Sequence, residues 1–132
     1  MACHPLKQAI EAADKAITDE NFDALIEFYA DDATLVIKPG MVVTGKEQIR
    51  KAFVAIAEHF NHSLVVKQGE MQVIQGGNTA LVIMETILET VDSVGMASCI
   101  SRRATYVFRE NPVGKWLCVV DNSYGTDLLG GM

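Results

Sequence analysis

No stretch of this chain approaches the roughly 18 consecutive apolar residues of a membrane-spanning helix, although 49% of its residues are hydrophobic. A membrane is therefore not expected among its partners. Basic residues are also scarce. Only 11 Lys and Arg stand against 17 Asp and Glu, a formal charge of −6, which argues against a nucleic-acid partner, since that would require a basic face. Lys7, Lys15, Lys46, Arg50 and Lys51 lie among acids and read as a solvated mixed face. Cysteine is limited to Cys3, Cys99 and Cys118, so one thiol stays unpaired in any disulfide scheme and a reducing compartment is the simpler reading. Cys99 and Cys118 fall in apolar stretches, where a thiol packs as a small hydrophobe. His59 and His62 have no third ligand at zinc spacing, which leaves surface histidines and no metal site. There is no glycine-rich phosphate loop and no nicotinamide or flavin fingerprint, so no cofactor is expected. The opening residues MACHPLKQAIEAADKAI lack the basic head and apolar centre of a secretory signal, and a cytoplasmic location is expected. Cys3-His4 reads as a frayed end.

What remains is a chain of 132 residues, sized for one domain over its whole length, 1–132. Leu6, Ile10, Ala13 and Ile17 form one stripe of a first helix. Phe22, Leu25, Ile26 and Tyr29 recur at helical spacing and predict a short second helix that stops at Ala30-Asp31-Asp32, the two acids acting as turn formers. Thr34 to Ile37 reads as a strand, Pro39-Gly40 as a turn and Met41 to Val43 as a returning strand. Thr44-Gly45-Lys46-Glu47 has the T-x-x-E form of a capping box. The helix it opens would bury Ile49, Phe53, Ile56 and Phe60.

Beyond that helix the period changes to two. Four long strands are predicted, roughly 63–75, 78–90, 96–110 and 115–122, with turns at Gly76-Gly77, Asp92 to Gly95 and Asn111 to Gly114. This is an antiparallel meander, over which three helices can close a cone. The expected registers set Leu81 opposite Gln72, Tyr106 opposite Val119 and Ala104 opposite Asp121. One face then holds Glu70, Gln72, Leu81, Ile83, Glu85, Arg102, Ala104, Tyr106, Phe108, Val119 and Asp121. The other holds Met71, Val73, Val82, Met84, Arg103, Thr105, Val107, Trp116, Cys118 and Val120. Both are too apolar to face water, so a homodimer through the sheet face is expected, with helices covering one face and a second copy the other.

FYADDATL-x-x-x-P-G, the following TGKEQIRKAF, and the closing run Gly114-Lys115-Trp116-Leu117-Cys118-Val119-Val120-Asp121-Asn122 resemble the nuclear transport factor two-like superfamily, in its ketosteroid isomerase and SnoaL-like branch. The resemblance implies an α+β fold: a cone of three N-terminal helices over a strongly bent, mostly antiparallel sheet that commonly dimerises. It does not imply ketosteroid isomerase activity. Counted from Tyr29 to Thr34, that enzyme's general base falls at Ile37 or Lys38 and its oxyanion tyrosine near Ala13. Counted from Gly114, its oxyanion aspartate falls at Tyr106.

The remaining candidates for chemistry are Tyr106, as a hydroxyl donor to a ligand carbonyl, and Asp121, as acceptor or base if it is desolvated. Glu85, Arg102, Leu81, Ile83, Phe53 and Val119 are the expected ligand-binding residues, with Glu85 and Arg102 nearly opposite one another as an ion pair. Trp116 is read as a core anchor. Three functions stay open. The first is a protein binding a small hydrophobic or aromatic molecule in an apolar pocket. The second is a cofactor-independent cyclase, isomerase or dehydratase using Asp121 and Tyr106, and the third an assembly domain without a ligand. An enzyme requires an open cavity with a desolvated acid inside it, a carrier the cavity alone, and an assembly domain neither.

Overall fold

A computed structural model describes residues 4–129. Helix α1 spans Pro5–Asp19 and buries Leu6, Ile10 and Ala13 of its expected stripe, with Ile17 half-buried. His4 is ordered at its head: its Nδ1 accepts from Leu6 N and its Nε2 meets Gln75 Oε1 at 2.8 Å. The frayed end expected there therefore does not include His4, while Cys3 lies outside the described residues. The short helix α2, Phe22–Ile26, is capped by the Asn21 side chain.

Strand β1 then runs Tyr29–Lys38, so Tyr29 belongs to a strand rather than to the second helix, and the acidic pair is no helix stop. The reason lies across the sheet. Tyr29 pairs in parallel with Cys118, and Cys118 N donates to Phe28 O. A further helical turn would forgo both partners. Asp31 and Asp32 sit in the irregular stretch before pairing resumes at Thr34, exposed and ion-paired with Lys46 and Arg109.

Strand β2, Met41–Thr44, leads to helix α3, Lys46–His59. The capping box expected at Thr44 is not made. Gly45 occupies the cap at φ 95°, and the Thr44 hydroxyl lies 3.0 Å from that of Thr34. The apolar face of α3 is as expected, with Ile49 and Phe53 buried and Ile56 and Phe60 half-buried.

Strands β3 (Val65–Gly76), β4 (Thr79–Val91), β5 (Ala97–Glu110) and β6 (Trp116–Asn122) complete a six-stranded sheet of order β2-β1-β6-β5-β4-β3. Only the β1–β6 pair is parallel. Two of the sheet's bulges lie in the long strands. On β3, Gly69 and Glu70 together oppose the single residue Glu85, and on β6 the pairs Phe108–Cys118 and Val107–Val120 leave Val119 as an extra residue. Bulges of this kind sharpen local twist and curvature. The helices cover the concave face, where Leu6, Ile10, Leu25, Ile49, Phe108 and Cys118 form the core.

The register differs from expectation in a way that decides the site. Gly76 pairs with Thr79 and the turn is Gly77-Asn78, which places Leu81 opposite Ile74. Between β4 and β5 the closing pair is Asp92 and Met96, spanned by three residues that end in Gly95 at φ 85°. An odd loop swaps the faces relative to an even one. Val82, Met84 and Thr86 therefore share the concave face with Tyr106, Ala104 and Arg102, while Leu81, Ile83 and Glu85 point outward beside Val107, Thr105 and Arg103. Cys118 is also inside, opposite Phe108. Cys99 is exposed on β5 rather than packed. Trp116 is half-buried at the sheet end against the His4 ring, not a central anchor.

Candidate active site

Asp121 is the last inward residue of β6 and is only 7% exposed. The Val119 bulge puts it directly opposite Tyr106, where a regular register would have placed Val120. Its Oδ2 accepts a hydrogen bond of 2.6 Å from the buried Tyr29 hydroxyl. Burial pushes the Asp121 carboxyl up to about 6, against the stabilising Tyr29 bond. The same burial, reinforced by the charge of Asp121, raises both Tyr29 and Tyr106 well above the ordinary phenol range, so both are hydrogen-bond donors at neutral pH.

A second carboxylate faces the same space. Asp14, on the buried side of α1, accepts from Gln68 Nε2 at 3.1 Å. Burial raises it to about 7; the Gln68 bond lowers it, and the charges of Asp121 and Glu11 raise it further. Thr86 Oγ1 is buried with no hydrogen-bond partner. Arg102 holds its guanidinium carbon 4.2 Å from the centre of the Tyr124 ring.

Asp14, Thr86, Arg102, Tyr106, Asp121 and Tyr124 line one cavity of about 680 Å³ between α1, α3 and the concave sheet, with Tyr29 buried behind Asp121. Its remaining walls are mainly apolar, with Ile17, Leu35, Phe53, Ile56, Phe60 and Leu88 among them. Carboxylates in an apolar space, beside neutral tyrosines, are suited to moving protons at near-neutral pH. A shallower groove of about 610 Å³ runs outside, between α1 and β3; Lys7, Glu11, Lys15 and Lys67 make it a solvated charged face. Among the described residues, no cluster of three or more His, Cys, Asp or Glu is placed to hold a metal.

Of the residues expected from sequence, Tyr106, Asp121, Arg102 and Phe53 line this cavity. Leu81, Ile83 and Glu85 do not, because the odd β4–β5 loop turns them to the outer face. Glu85 stands opposite Arg103, and its Oε2 accepts from Ser101, so the expected Glu85–Arg102 pair is not formed. Val119 packs against the core as the bulge residue and does not line the cavity. Asp14, Tyr29, Thr86 and Tyr124 were not anticipated. A signal for Asp14 existed: it lies four residues after Ile10 and eight after Leu6, inside the apolar arc of α1.

A family profile described as a SnoaL-like domain matches residues 6–119. No curated protein matches the sequence. Among solved structures, Aln2 from a Streptomyces species superposes with TM-score 0.82 at 14% identity, covering 98% of each chain. A proposed dehydratase of the NTF2-like family from Streptomyces avermitilis gives TM-score 0.71 at 20% identity, over 89% of this chain and 91% of that one. A ketosteroid isomerase-like protein from Erwinia carotovora atroseptica gives TM-score 0.70 at 20% identity, over 87% of this chain and 88% of that one. At these identities the likeness shows the fold alone.

Proposed function

The chain belongs to the SnoaL-like domain family of the nuclear transport factor two-like superfamily, and on that premise we propose that it is an acid–base enzyme acting on a small hydrophobic or aromatic carbonyl compound. The observation that carries the proposal is Asp121, a buried carboxylate raised to about 6 on the wall of an apolar cavity, with the Tyr106 hydroxyl across the strand. A carboxylate of that kind is ionised at pH 7 yet far more basic than one in water.

Asp121 removes a proton from the carbon next to the carbonyl. The C–H electrons move into the carbonyl, and Tyr106 donates a hydrogen bond to the enolate oxygen that forms. Three outcomes balance. The proton returns at another carbon, giving isomerisation; the enolate carbon attacks a second carbonyl of the same molecule, giving a ring; or a β-hydroxyl leaves as water. In the last, Asp14 is the acid. Raised to about 7, it retains its proton in roughly half of the molecules at neutral pH.

The common step is testable without knowing the product. Aromatic ketones and 1,3-dicarbonyl compounds are incubated with the protein in D₂O, and deuterium incorporation next to the carbonyl is followed by NMR. Enzyme-dependent exchange is expected, slowed about 10²–10⁴-fold in Asp121→Asn, with ligand binding retained. Binding without exchange in the wild type would make the cavity a carrier site instead, and equal exchange in the variant would remove Asp121 as the base.

A further inference from the structure

We infer that the ligand of this cavity is an apolar acid, whose terminal oxyanion is held by Arg102 and Thr86 on the concave face of β4 and β5. The inference rests on the reading of the cavity as the substrate site and adds the class of substrate.

Arg102 and Thr86 are direct cross-strand partners, and both line the cavity. Each has bonding capacity that the protein does not use. Thr86 is 4% exposed, yet its Oγ1 has no hydrogen-bond partner. It lies near enough to Tyr106 to ease that phenol's ionisation, but no hydrogen bond joins them. A buried hydroxyl left unpaired is unfavourable, and a ligand oxygen at this point would satisfy it.

Arg102 makes no ion pair with any carboxylate among the described residues. Asp121 is set by burial and Tyr29, and Asp14 mainly by burial and Gln68, so neither draws on the guanidinium. The Tyr124 ring instead packs on its face, which leaves the N–H edge free. That edge is the part of an arginine that matches a carboxylate or phosphate.

The distribution of charge favours the same occupant and fixes its direction. Both acids of the cavity, Asp14 and Asp121, are buried, whereas its lysines, Lys38 and Lys51, are exposed. In a chain of net charge −6, a cavity whose exposed charges are cationic draws in anions. An oxyanion beside Asp121 would be repelled. The charged end therefore stays with Arg102, and the neutral carbonyl end meets Asp121 and Tyr106.

Calorimetric titration with 2-naphthamide, 2-naphthoate and 2-naphthyl phosphate at pH 8 tests this, because the three share a body and differ in the terminal group. Wild-type protein is expected to bind an anion about 10- to 100-fold more tightly than the amide. The tighter of the two anions identifies the oxyanion as carboxylate or phosphate. Arg102→Met should abolish the preference, with circular dichroism and thermal unfolding reporting that the variant is folded, and Thr86→Val should reduce the preference several-fold. Equal binding of amide and anions, or a preference that survives Arg102→Met, would overturn the oxyanion site and leave the cavity reading standing. Absence of binding by all three would overturn both.

Discussion

Two carboxylates held in an apolar space have a consequence for stability that is independent of any substrate. Asp14 and Asp121 are raised from 3.8 to about 7 and about 6. Between pH 4 and 7 the folded protein thus keeps protons that the unfolded chain releases. Stability from these groups is fully present below pH 4 and is lost as pH rises through 6 and 7. The two sites titrate as a pair, since the charge of one raises the other. Asp14→Asn removes the burden of an ionised group at high pH while keeping an oxygen for Gln68 to donate to. The variant should be more stable than wild type by about 1–3 kcal/mol at pH 8 and nearly equal to it at pH 4. Urea unfolding at the two values checks this. Lower stability at pH 8 would mean that Asp14 is solvated or paired in a way that the Gln68 contact does not describe.

At the level of elements, the order of helices and strands was legible because apolar period and turn residues are local properties. Which strand face points inward was not, because it depends on the parity of each loop. Three residues between Asp92 and Met96 turned Leu81, Ile83 and Glu85 outward, and nothing in Asp-Ser-Val-Gly distinguishes a three-residue loop from a two-residue one. Asp121 shares the Tyr106 face, as the expected register also had it, but it stands opposite Tyr106 rather than Ala104 because of the Val119 bulge, an irregularity without a residue signature. Tyr29 escaped notice because its tertiary partner, Asp121, is 92 positions away. The segment after β6 carries a prediction of its own. A 3₁₀ turn, Gly125–Leu128, follows Tyr124, with the Asn122 side chain bonded to both Gly125 N and Gly125 O. Gly125 has φ 57°, and a Cβ there would collide with the carbonyl oxygen of Arg103. Gly125→Ala should cost on the order of 1–3 kcal/mol and displace Tyr124 from Arg102. Thermal unfolding reads the first effect, and a weakened preference for naphthoate over naphthamide reads the second.

For the molecule as a whole, the surface left unexplained is the convex face of the sheet. Ile74, Leu81, Val107 and Val120 form one unbroken row across β3, β4, β5 and β6, each the register partner of the next. Ile74 is 55% exposed, and Leu81, Ile83 and Val120 are each close to 40%. A soluble protein rarely leaves such a row in water. We propose that a second copy of the chain covers it. Self-association suits this face because the apolar row is flanked by Glu85 opposite Arg103, so two copies related by a two-fold axis can set each acid against the other's base while the apolar rows meet. A stable interface of this kind buries about 1,200–2,000 Å² in total. Wild-type protein should therefore sediment as a dimer at micromolar concentration, and Ile83→Glu as a folded monomer that retains its cavity, since Ile83 points away from it. Retention of naphthamide binding by the monomer would separate assembly from the site. A monomeric wild type, or a dimer unaffected by a charge at Ile83, would place the contact elsewhere and leave the convex row without an occupant.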